Sequence, residues 1–139
     1  ADAGVSFART SISGFLPEGM EPPDSLLIPS RRVASHARST AVRAMIGDAC
    51  VGAGAMEVTG ELAALFGVSV VPAHRRQGVQ QALVAWRLNR AAAAGATFAT
   101  IASFPGVATE RNAQRAGFRV AYNKAILVRP GPGLTPAFE

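Results

Sequence analysis

The sequence predicts an α/β fold: a mixed, mostly antiparallel sheet flanked by helices. Three observations carry this. Residues 41–71 contain three consecutive strand-like stretches separated by turn-forming residues. The clearest helical pattern in the chain, Val79 to Ala94, follows directly. A β-branched stretch, Thr97 to Ala102, comes next, and a strand–helix–strand order implies a crossover between parallel neighbours.

Residues 1–40 form the least regular part, read as a helical and loop segment of the same domain. Phe7, Ile12, Phe15 and Leu16 fall loosely on one helical face, and Pro17 to Asp24 breaks the pattern. Asp24 is placed to cap a second helix through Leu26-Leu27-Ile28, which Pro29 is expected to split before a further segment runs to about His36. The sheet domain is assigned to 41–129. Ala41 to Ile46 and Ala49 to Val58 make a hairpin about Gly47-Asp48. Leu62 to Val71 is almost wholly apolar, as expected of a strand buried on both faces. In the long helix, Val79, Leu83 and Trp86 form the buried stripe with Ala82 and Ala93 beside it, and Gly95 stops it. Thr109 is expected to cap a short helix that Gly117 ends, and Phe118 to Tyr122 and Ala125 to Val128 to close the domain as strands. Residues 130–139 are a Pro/Gly-rich tail.

Composition excludes several classes. Hydrophobic residues make up 49% and charged residues 17%, which rules out a disordered polymer. No stretch approaches the roughly 18–20 uninterrupted apolar residues of a membrane span. The lone Cys50 precludes a disulfide framework or multi-cysteine zinc site, points to a reducing, cytoplasmic compartment, and reads as a small core residue. No metal is expected. The net charge of +5 suggests nucleic acid, but the basic residues are scattered as pairs: Arg31 with Arg32, Arg75 with Arg76, Arg87 with Arg90, Arg111 with Arg115. Lys124 is the only lysine and Ala is the commonest residue, the skew expected of GC-rich coding. The chain opens on Ala1-Asp2 without an initiator Met, the expectation for a fragment.

The chemically informative stretch runs from Val70 to Gln81. A strand enters a short basic loop, Arg75-Arg76-Gln77-Gly78, which becomes the first turn of an amphipathic helix. Unpaired backbone N–H groups and the helix dipole make such a turn an anion seat. Gly78 permits close approach, and the arginines add positive charge. A loop with a turn glycine and solvated arginines fits the same spacing. No G-x-x-x-x-G-K-[ST] motif is present, and Gly52-Ala53-Gly54 lacks the third glycine and the following helix of a dinucleotide fingerprint. Those glycines read as strand thinning or a bulge.

Arg75-x-x-Gly78-x-Gln80, with Val70-x-Pro72 before it, resembles the acetyl-CoA-binding motif of the GCN5-related N-acetyltransferases. Some 35 residues on, Arg111-Asn112-Ala113-Gln114-Arg115-Ala116-Gly117-Phe118 resembles that family's helix ending in Gly-Phe. The resemblance spans about Ala41 to Val128. It implies an acetyl-CoA N-acyltransferase-like fold, truncated on its N-terminal side, where the family's first strand and part of its acceptor side are expected. It also implies that the pantetheine arm pairs with backbone at Val68, Val70 and Val71, and that the cofactor wedges between strands 62–71 and 97–102. The pyrophosphate would sit on Gln77, Gly78, Val79, Gln80 and Gln81, with Arg75, Arg76 and Asn112 beside the cofactor. Two departures stand out. Gln80 replaces the usual Gly or Ala, and Ala113 occupies the position of the tyrosine that protonates the departing thiolate.

The general base is not identifiable from sequence. Glu57, Glu61 and Asp48 lie at strand ends, where a solvated charge is the plainer reading. Glu61 and Tyr122 are the catalytic candidates, Tyr122 doubling as an edge-strand packing residue. His74 is read as loop packing and His36 as surface. The expected activity is transfer of an acetyl group from acetyl-CoA to a primary amine of a small-molecule or protein acceptor, its carbonyl polarised by a backbone N–H near Val70. A CoA-binding regulatory module, favoured by Ala113, and a basic nucleic-acid-binding domain are the rival readings.

Overall fold

The computed structural model describes residues 2–127. Helices α1 (Ala3–Ser13) and α2 (Asp24–Ser35) precede strands β1 (Ser39–Ile46), β2 (Ala49–Thr59) and β3 (Leu62–Val70). A 3-10 turn at Pro72–His74 leads into α3 (Val79–Ala93), followed by β4 (Phe98–Ile101) and α4 (Ala108–Arg115). The four strands form one sheet in the order β1-β2-β3-β4, antiparallel except for the parallel β3–β4 pair that α3 connects. The mixed, mostly antiparallel sheet flanked by helices is as expected.

The two sheet faces carry different layers. On one, Phe7 of α1 is buried with Ala53 and Ala55 of β2, and Val33 and Ala34 of α2 pack against them. On the other, α3 covers the sheet through Val79 and Leu83 against Val51, and through Ala91 against Met56, Ala63 and Leu65. No helix among the described residues is long and apolar enough to cross a membrane.

Several expectations are corrected. Pro29 does not split α2: it lies inside one continuous helix whose packing outweighs the single hydrogen bond a proline forfeits. Asp24 is the first residue of that helix, not its cap, and Val107 rather than Thr109 flanks α4. β3 is not buried on both faces; only Ala63, Leu65 and Ser69 are buried in it. Trp86 is 46% exposed, and Ala82 and Ala93 face solvent. The buried stripe of α3 is Val79, Leu83, Arg87 and Ala91, spaced four apart. Val79 and Leu83 are buried as expected; following apolarity misplaced only the third position, which is Arg87 rather than Trp86. Cys50 is only half-buried. Residues 118–127 carry no strand, and Val128 and the tail lie outside the described residues.

Candidate functional site

β3 pairs with β2 along nearly its whole length but with β4 only from Leu62 to Leu65. From Phe66 onward its outer edge has no strand beside it among the described residues. At that point β3 bulges. Ala53 faces Ser69 and Ala55 faces Phe66, so Gly54 stands opposite both Gly67 and Val68. Gly67 has φ +61°, a conformation side chains rarely adopt. The edge from Phe66 to Val70 offers backbone groups to an extended ligand, as an open strand edge does.

That edge leads into the loop. Arg76 and Gly78 both have positive φ, and Gly78 is the N-terminal flank of α3. No side chain caps this helix, and its first return bond is from Ala82 N to Gly78 O at 2.9 Å. The N–H groups of Val79, Gln80 and Gln81 therefore lack intrahelical partners. A Cβ built on Gly78 meets nothing within 4 Å, so the approach to these donors is open. Backbone donors, a helix dipole and a flanking arginine suit a phosphate.

The predicted cofactor contacts divide by what their side chains do. Val68 and Val70 turn their side chains into the cluster around Val51, Val79 and Leu83, leaving only backbone for a ligand. Val71 packs there too, but its N–H donates to Val51 O at 3.0 Å and its carbonyl accepts from His74 N at 3.0 Å, so the expected backbone contact at Val71 is corrected: both its groups serve the fold. Arg75 reaches away from the seat: its Nη2 donates to Gly14 O at 2.7 Å and ties the loop to the end of α1. Arg76, Gln77 and Gln81 are exposed, with Gln77 Nε2 donating to Ala73 O at 3.4 Å. Gln80 joins the two motifs: its Oε1 accepts from Asn112 Nδ2 at 2.6 Å, and its Nε2 donates to Thr109 Oγ1 at 3.4 Å. The amide that replaces the usual small residue thus links α3 to α4.

Sequence reasoning missed a second tie to α1. Ser69 Oγ accepts from Gly14 N at 3.1 Å and donates to Thr10 O at 2.9 Å. A Cβ on Gly14 would lie 2.0 Å from that hydroxyl, so only glycine allows the approach. It also missed Arg87, read as one of the scattered surface charges. Arg87 is 1% exposed. Nε donates to Leu83 O at 3.0 Å, and Nη1 to Ala55 O at 3.0 Å and Phe66 O at 3.3 Å. Nη2 is buried with no hydrogen-bond partner among the described residues. Burial lowers the guanidinium to about 10, because desolvation penalises its charged form. Gly54 makes the room: a Cβ there would sit 3.1 Å from Arg87 Cζ.

Of the catalytic candidates, Glu61 is in the exposed turn before β3, five residues and about 16 Å of extended chain from Phe66. Tyr122 is 81% exposed and lies in no strand. Glu57 accepts from Ser39 Oγ at 2.7 Å, with His36 Nδ1 3.6 Å away. Ala113 is buried in α4. An apolar cavity of about 300 Å³ lies on the α1–α2 face, lined by Phe7, Phe15, Leu26, Val33, Phe66 and Gly67, so it abuts the bulge.

A strand whose pairing partner ends beside a bulge, continuous with an uncapped helix N-terminus, suits an extended, phosphate-bearing ligand. Residues 9–118 match the model of the acetyltransferase (GNAT) family, and the chain belongs to that family. No curated protein matches the chain. Among solved structures it is similar to a transcriptional regulator from Bacillus halodurans C-125, at 19% identity and TM-score 0.73, covering 93% of this chain and 96% of that one. A putative acetyltransferase from Agrobacterium tumefaciens str. C58 matches at 13% identity and TM-score 0.72, over 94% and 97% of the two chains. AAC(6')-Iy, solved with the bisubstrate analogue CoA-S-monomethyl-acetylneamine, matches at 17% identity and TM-score 0.66, over 94% and 95%.

Proposed function

We propose that this domain transfers the acetyl group of acetyl-CoA to a primary amine. The observation that carries the reading is the continuity of the free β3 edge with the uncapped start of α3. The edge supplies hydrogen bonds to the pantetheine arm at Val68 and Val70. The N–H groups of Gln77 to Gln81 supply the pyrophosphate seat, with Arg76 adding charge and Asn112 buttressing Gln80. The amine enters from the α1–α2 face, where the apolar cavity adjoins the bulge. Its nitrogen attacks the thioester carbon within a ternary complex. The C–N bond forms as the C–S bond breaks, the developing oxyanion is met by a backbone N–H of the β3 edge, and the thiolate takes a proton as the amide nitrogen loses one. A small-molecule amine suits a cavity of this size; AAC(6')-Iy, solved with an acetylneamine analogue, is a neighbour whose acceptor is of that kind.

A second reading, a CoA-binding regulatory module, is favoured by Ala113 at the usual tyrosine position and by the exposure of Tyr122. Calorimetric titration with CoA tests the donor site, and amine-dependent release of free thiol from acetyl-CoA tests transfer. No CoA binding to the folded protein rejects both readings. Binding without turnover across a panel of aminoglycosides, arylalkylamines and lysine peptides selects the module.

A further inference from the structure

Arg87 is a buried cation with no carboxylate among its partners. Stability does not account for it, since apolar residues of similar volume commonly replace buried charges at no loss. Its location does. Arg87 lies eight residues beyond Val79, about 12 Å along α3 from the anion seat. Phe66 lies five residues before Val71, about 16 Å along β3. The guanidinium therefore stands at the end of the free edge remote from the phosphates, where the acyl group of a donor seated on α3 would lie.

Nη1 binds carbonyls of both β2 and β3, so it sits on the β2 side of the bulge. The Phe66–Gly67 peptide is trans, as are all described peptides. Its N–H therefore points opposite to the carbonyl that Arg87 holds, away from β2. A cation bonded to one end of a peptide unit also polarises the other end and strengthens its N–H as a donor.

We propose that Arg87 is a positioning residue for acetyl transfer: through the carbonyl of Phe66 it orients and polarises the Gly67 N–H toward the thioester carbonyl oxygen. The proposal rests on the acetyltransferase reading above and refines the expected donor from the region of Val70 to Gly67. Gly54 belongs to the same device, because its missing Cβ admits the guanidinium. Arginine serves this role better than lysine, since three carbonyls are served from two nitrogens of one planar fork.

The test compares wild type with Arg87→Met, Arg87→Lys and Gly54→Ala in the whole protein. CoA affinity by calorimetry is expected to stay within about threefold, because the seat is remote. The kcat is expected to fall about 10- to 100-fold in Arg87→Met, less than the roughly 100- to 1,000-fold cost of removing an oxyanion donor because the donor is disoriented and not lost, with partial recovery in Arg87→Lys. In amide NMR spectra, acetyl-CoA but not CoA is expected to move the Gly67 N–H downfield in wild type, and this shift is expected to shrink in Arg87→Met. An unchanged kcat in a folded Arg87→Met, or a Gly67 amide indifferent to acetyl-CoA, overturns the proposal. Should Arg87→Met not fold, Gly54→Ala decides by the same two readouts, as it displaces the guanidinium without removing it. Wild type that binds no CoA rejects the acetyltransferase reading itself, a result separate from both.

Discussion

The two halves of β3 are held in place in different ways. From Leu62 to Leu65 the strand is bonded on both sides, in regular register, with Ala63 and Leu65 fully buried against α3. From Phe66 to Val70 it is bonded on one side, carries a bulge and a positive-φ glycine, and is tied to α1 by Ser69 and to α3 by Arg87. The first half completes the sheet and holds the fold together. The second leaves the sheet incomplete, and neighbouring elements fix its shape instead. A strand can stabilise with one end and bind with the other only if something other than pairing orders the unpaired end.

Substitutions sharpen that contrast. The largest effect on binding is expected at the continuation of the free half: Gly78→Asp places a side chain and a negative charge over the uncapped start of α3, in a backbone conformation that disfavours it. CoA affinity by calorimetry should fall more than about 100-fold, the scale of two to three kcal/mol from lost charge-assisted hydrogen bonds. The largest effect on stability belongs to the paired half. Leu65→Ala should cost about 2–4 kcal/mol in denaturant unfolding, while the fraction still folded binds CoA as before. Equal losses of stability and affinity there would break the comparison.

Gly67→Val should combine smaller versions of both. A β-branched residue at φ +61° costs about 1–2 kcal/mol, and relaxation of the bulge should lower kcat more than CoA affinity. Trp86→Ala, by contrast, should cost less than about 1 kcal/mol, because the ring is half exposed and lies off the buried stripe.

The smallest expected effect is a pH dependence that does not appear. Burial lowers Arg87 to about 10 in the folded protein, well below the ordinary guanidinium range. Below 10 it is charged in both folded and unfolded states, so no proton is exchanged on unfolding. Its desolvation then counts against the fold by a constant amount, relieved only as pH rises above about 10, where the unfolded state holds the extra proton. The difference in thermal midpoint between wild type and Arg87→Met should therefore be flat from pH 6 to 9. A slope in that range would mean that another titrating group is coupled to Arg87.

Much of the architecture was legible because it rests on local patterns. Turn residues at Gly47-Asp48 and Thr59-Gly60 delimit β1, β2 and β3. The 3.6-residue pattern beginning after Gly78 delimits α3, and the short loop between strand and helix places an uncapped helix N-terminus at their junction. These features depend on hydrogen bonds and periodicities spanning a few residues, so the sequence by itself determined them. It also carried the family, through two motifs whose residues Gln80 and Asn112 turn out to be bonded to each other.

Only the tertiary structure decided the rest. An arginine on a helix reads as solvated until a glycine on a strand 33 positions earlier is seen to leave room for it. Arg75 reads as a phosphate ligand until Gly14 of a distant helix offers it a carbonyl. Pro29 reads as a break until α2 is seen packed on α1 and the sheet. The end of β3–β4 pairing at Leu65 coincides with a bulge in the register against β2, a relation between strands rather than a property of either. In each case the deciding partner lies far along the chain, and close packing settles a choice that local propensity leaves open.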